Sequence, residues 1–152
     1  MTSVAAAFAH QAAHPHGAAS VWRRWLVGWL GAMLIGVANG IARGALYAGS
    51  VGPRRAEYIS TAALLMLLTA YMALLTRRWP LPTRSTAMLI GVVWSALTVA
   101  FEFGLGRVVV GDSWSKLLDQ YAFWRGNARI AVPTWIAIGP AVLRRLRNGA
   151  PA

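Results

Sequence analysis

Apolar positions in this chain are gathered into long runs, without the alternation of a half-buried strand or the one-sided spacing of a soluble amphipathic helix. The first run extends from about Trp25 to Tyr47, the second from about Glu57 to Thr76, and the third from about Ser85 to Gly106. At ~1.5 Å rise per residue, each is long enough to cross a hydrocarbon core of ~30 Å. These runs predict three membrane spans, 25–47, 57–76 and 85–106. A fourth stretch, 128–143, is shorter and contains Pro133 and Pro140. Proline is tolerated in a membrane helix when neighbours satisfy the carbonyls it frees. The stretch is therefore expected to be a fourth span, with a re-entrant segment as the competing arrangement.

Polar residues define what lies between the runs. "RRWPLPTR", with two prolines, reads as a tight turn between the second and third spans. In "GDSWSKLLDQYAFWRG", Trp114, Leu117, Leu118, Tyr121 and Trp124 recur at helical spacing, while Ser115, Lys116, Asp119 and Gln120 take the other side. Asp112 or Ser113 can cap such a helix and Gly126 can end it. A short amphipathic helix over 112–125, lying in the membrane interface, is expected, because tryptophan and tyrosine favour the headgroup level. Trp114, Asp119, Tyr121, Trp124 and Arg125 are its candidate interfacial residues. The expected architecture is all-α: a polytopic integral membrane protein with one four-helix domain over 22–147, a flexible tail over 1–21, and a short tail over 148–152.

Composition supports this class. Of the 152 residues, 57% are hydrophobic and 12% charged, where a soluble domain carries about a quarter charged residues. The net charge of +11 invites a nucleic-acid reading, but fourteen of the fifteen basic residues are arginines clustered beside apolar runs, a pattern of membrane topology. No nucleic-acid partner is expected. With four spans, Arg23, Arg24, Arg77, Arg78, Arg84, Arg144, Arg145 and Arg147 share one side with no acid. The other side receives seven basic residues and all four acids, Glu57, Glu102, Asp112 and Asp119. The uncompensated arginines in short flanks predict that both termini lie on the cytoplasmic side.

Two helix faces are unusual. Gly28, Ala32, Gly36, Gly40 and Gly44 form a row of small residues at spacing four in the first span. Such rows let helix backbones approach closely in lipid, so this row is a candidate packing ridge. In the third span Gly91, Ser95, Thr98 and Glu102 fall on one side, with Gly91 and Ser95 as packing candidates and Glu102 at the far end. Arg43 lies about 27 Å along the first span and Glu102 about 26 Å along the third. An unpaired charge in lipid is expensive. Asn39, Arg43, Glu102 and Arg107 are therefore expected to form an intramembrane polar cluster, as structural pairing or as a binding or proton-coupling site.

Absences narrow the chemistry. The chain has no cysteine, which removes disulfides and thiol nucleophiles. No histidine lies in a span, so no internal bis-histidine haem is expected, and the span serines lack a partner base. His10, His14 and His16 could converge on a metal, but no carboxylate or cysteine lies nearby and no metal site is expected. No cofactor is expected either.

The segments "ANGIARG", "FEFGLGR" and "WSKLLDQYAFWRGN" resemble a family of small uncharacterised bacterial four-helix inner-membrane proteins. The resemblance implies no activity; it marks Asn39, Arg43, Glu102, Arg107, Tyr121 and Arg125 as positions of interest. Small multidrug carriers are similar in having four short helices and a membrane carboxylate, although here the carboxylate is in the third span and not the first. The expected function is non-catalytic: an accessory subunit or assembly factor whose partners are the lipid bilayer and other membrane helices or a second copy. The alternative is a small proton-coupled transporter with Glu102 as its carboxylate.

Overall fold

The computed structural model describes residues 15–122, 124 and 126–149. Helix α1 spans Pro15–Ala42, α2 Ala48–Val51, α3 Pro53–Arg78, α4 Arg84–Leu105, α5 Trp114–Asp119 and α6 Ala131–Gly149. Among the described residues there is no strand. A π-helical turn, Arg43–Tyr47, joins α1 to α2, and a second, Gly106–Val110, extends α4. Three helical stretches, Ala19–Val51, Pro53–Arg78 and Arg84–Val110, are long and apolar enough to cross a membrane.

Local chemistry sets the boundaries. Gly52 sits at φ +82°, a left-handed conformation that suits glycine, and Pro53 follows in the first turn of α3, where a missing N–H costs nothing. Thr83 caps α4 by accepting a hydrogen bond from the Thr86 amide at 3.1 Å. α1 begins at Pro15, inside the stretch expected to be a tail. His10 and His14 lie outside the described residues, as does Arg125.

The four long helices form a ring in which α1 contacts α3, α3 contacts α6, α6 contacts α4 and α4 contacts α1. The α4–α6 contact is the most extensive and α1–α4 the least. Trp25, Met72, Ile90, Trp94 and Ile136 fill the centre and are almost fully buried. The indoles of Trp25 and Trp94 lie 5.4 Å apart at a tilt of 52°, within the range of favourable aromatic pairs.

The tight α4–α6 seam follows from glycine and proline. A Cβ at Gly91 would stand 2.1 Å from the Ala137 carbonyl oxygen and 3.0 Å from that of Ile136. Pro140 has no N–H to give the Ile136 carbonyl, and Gly91 lets the α4 backbone close over that region. Ser95 adds a hydrogen bond from its hydroxyl to the Pro133 carbonyl at 2.9 Å. At the end of the bundle that holds the α3–α4 turn, Arg144 donates to the carbonyls of Leu81 and Pro82, both at 2.9 Å, and Arg147 donates to the Thr76 carbonyl at 2.6 Å.

Helix α5 is shorter than expected. It ends at Asp119 and gives way to a turn, where a helix over 112–125 was anticipated. Ser113 caps its start as expected, accepting from the Lys116 amide at 3.3 Å. The early end has a physical reason: Tyr121 leaves helical register to pack against Phe103, with ring centroids 5.5 Å apart, and to reach Glu102.

Candidate functional site

At the end of the bundle opposite the α3–α4 turn, the helices part. Trp29 donates from its indole N–H to the Thr98 hydroxyl at 3.2 Å, holding α1 against α4. One turn further along, Met33 and Phe101 already line an open cleft. α1 stays with α3 throughout: Tyr71 donates to the Gly28 carbonyl at 2.8 Å before the opening, and Asn39 donates to the Ser60 hydroxyl at 2.7 Å within it. The result is a cavity of about 1060 Å³ lined by residues of α1, α3, α4 and α5, with Val132 from the first turn of α6. A volume of that order matches sites that hold drug-sized or larger ligands. Both π-helical turns border it, since Arg43 opens one and Gly106 the other. Such turns recur at functional sites because they re-aim side chains.

The lining collects the chain's charges. All four carboxylates of the protein, Glu57, Glu102, Asp112 and Asp119, face this cleft together with Arg43, Arg54, Lys116 and Arg129. The two signs balance there, although the chain as a whole carries +11. Lys116 and Asp112 are joined by an ion pair of 2.5 Å. Glu102 accepts a hydrogen bond from the Tyr121 hydroxyl. Tyr121 is half-buried, and burial, the Glu102 charge and that hydrogen bond raise its pKa above the ordinary phenolic value; Arg129 acts in the opposite sense. Asp119 lies at the cleft edge and its main-chain carbonyl accepts from the Asn127 amide at 2.6 Å. Among the described residues, Arg43, Arg54 and Arg129 form no ion pair.

Three of the four residues of the expected polar cluster are brought to one cleft, but they are not ion-paired there. Asn39, Arg43 and Glu102 all line the cleft, yet Glu102 forms no ion pair with Arg43 or Arg107. Arg107 turns toward the Asp112 carbonyl at 3.4 Å. Matching depths along two helices does not fix their lateral separation, and α1 and α4 have diverged at this level.

The glycine row divides in the same way. Gly28 abuts Leu75 and Trp94, and Ala32 is buried, so this half packs as expected. At Gly36, Gly40 and Gly44 an added Cβ would meet nothing within 4 Å; Gly36 and Gly40 instead form cleft wall. Of the interfacial candidates, Trp114 and Trp124 are exposed and Tyr121 turns inward. Among the described residues no group of histidine, cysteine, aspartate and glutamate is placed to hold a metal.

Sequence reasoning did not single out Glu57, Ser60 or Arg129 as cleft residues. A usable signal was present for the acids, because all four fall on one side of the predicted topology.

No family model, curated protein or solved structure matches the chain. The fold and the cleft define an all-helical protein with three helices able to cross a membrane and a mixed-charge cavity at one end of the bundle.

Proposed function

We propose that the protein is a non-catalytic, four-span integral protein of a bacterial inner membrane with both termini cytoplasmic, working as an accessory subunit or assembly factor that engages another membrane component through the cleft. In this reading α6 is the fourth span and α5 lies in the interface. The observation that carries it is the open half of the glycine row. Gly28 and Gly91 are used for close packing within the chain, whereas Gly36 and Gly40 leave the α1 backbone approachable from the cleft. Extraction of the tagged protein into native lipid discs, followed by mass spectrometry, tests it. A stoichiometric protein partner, lost on Gly40→Leu, is expected; a chain that always emerges without another protein contradicts the subunit role.

A second reading is favoured by the position of Glu102. Its carboxylate lies in the wall of a cavity large enough for a small organic cation. A proton-coupled carrier would bind such a cation in a pH-dependent manner, and Glu102→Gln would abolish both the binding and its pH dependence.

A further inference from the structure

We infer that the cleft is a binding site for a zwitterionic phospholipid of the ethanolamine type. The inference rests on the cleft as a binding surface, not on the subunit role.

The cleft begins within the apolar part of the bundle and ends among charged residues. Along α1 and α3 the lining passes from Met33, Val37 and Leu64 to Arg43, Glu57 and Arg54 toward the helix ends; on α4 Glu102 follows Phe101 in the last turns, and Arg129 lies in the connection before α6. That gradient suits an amphiphile with its tails along α1 and α4 and its headgroup at the membrane edge. Val37, Ile41 and Leu105 line the cleft and keep exposed apolar area, surface that lipid chains can cover.

Charge selects the headgroup. Most of this +11 chain would attract any anion, but the cleft is where its four carboxylates are concentrated. A purely anionic headgroup would meet Glu57 and Glu102 as well as the arginines. A headgroup with both a phosphate and a primary ammonium satisfies both sets. Guanidinium groups bind phosphate through paired N–H donors, and among the described residues Arg43, Arg54 and Arg129 are not committed to ion pairs. The ammonium has three N–H donors, and Glu57 and Glu102 supply acceptors.

The test uses the full chain purified in detergent and titrated with defined lipids of matched acyl chains, read by native mass spectrometry in about 0.2 M ammonium acetate, where attraction to exposed arginines is largely screened. Phosphatidylethanolamine adducts are expected to exceed phosphatidylglycerol adducts at least five-fold, with diacylglycerol retained no better than background. Equal or greater retention of phosphatidylglycerol, or of diacylglycerol, would overturn the inference. Free phosphoethanolamine competing as well as the lipid would also overturn it, assigning the cleft to a soluble headgroup compound. The double variant Arg43→Gln, Arg129→Gln should lose phosphatidylethanolamine at least five-fold, while Arg77→Gln, Arg145→Gln at the opposite end should not; equal behaviour of the two overturns it. The lipid comparison on the unaltered chain decides the matter even where a variant fails to fold. Lipid retention without a protein partner would sustain this inference and refute the subunit role, and the converse result would do the reverse.

Discussion

Tyr121 donates its phenolic hydrogen to the Glu102 carboxylate, tying the chain that follows α5 to the last turn of α4. The bond closes one wall of the cleft and satisfies a carboxylate that would otherwise be costly so near the membrane. Tyr121→Phe should destabilise the purified protein by about 1 kcal/mol, less than a fully buried hydrogen bond to a charged group because both residues are only partly buried. Glu102→Met, which removes the acceptor, should cost a similar amount. The double variant should cost less than the two together, since each removes the same interaction. Thermal unfolding in detergent measures this; strict additivity would show that the bond contributes nothing.

The raised pKa of Tyr121 fixes the sign of a pH effect. An unfolded tyrosine loses its proton near pH 10, whereas folded Tyr121 holds it to higher pH. Unfolding therefore releases a proton in that alkaline window, and stability falls as pH rises above about 10. Below that, Tyr121 contributes no pH dependence. In Tyr121→Phe the alkaline loss of stability should be shallower. A spectroscopic titration of tyrosinate should show the Tyr121 signal rising after those of exposed tyrosines.

Substitutions along the small-residue positions should divide sharply. Gly91→Ala drives a methyl group into the backbone of α6 and should destabilise by about 1–3 kcal/mol or more. Gly36→Ala meets open space and should be neutral or slightly stabilising, because alanine is the better helix former by about 1 kcal/mol. Melting temperatures of the two variants, measured side by side, check this contrast.

Arg144 joins the end of α6 to the α3–α4 turn through two carbonyls. Arg144→Met keeps much of the aliphatic stem and removes both hydrogen bonds, leaving the Leu81 and Pro82 carbonyls without that donor. A loss of about 1–3 kcal/mol is expected. Faster proteolysis within the turn at residues 79–83 should accompany it, and unchanged cleavage would show that the turn is held by other means.

Much of the helical framework was legible because apolar runs of spanning length have few alternatives. The Gly91 and Ser95 face was also legible, since small residues at helical spacing announce close approach. The cleft was harder to read. Asn39, Arg43 and Glu102 do line one cleft, but spacing along a helix carries no information about the distance between helices. The divergence of α1 from α4 beyond Trp29 and Thr98 decides that Glu102 meets Tyr121 and not Arg43. The end of α5 escaped detection for a related reason: Tyr121 fits the helical period of the Trp114 face, yet a partner on another helix overrides that period.

The arrangement of four spans is tested most directly by single-cysteine accessibility, which the cysteine-free chain makes possible. Cysteines placed at the exposed positions Ser85 and Asn148 should react from one side of the membrane, and those at Ser50 and Ser115 from the other. Labelling of Ser85→Cys and Asn148→Cys from opposite sides would contradict the account, because α6 would then not return across the membrane beside α4.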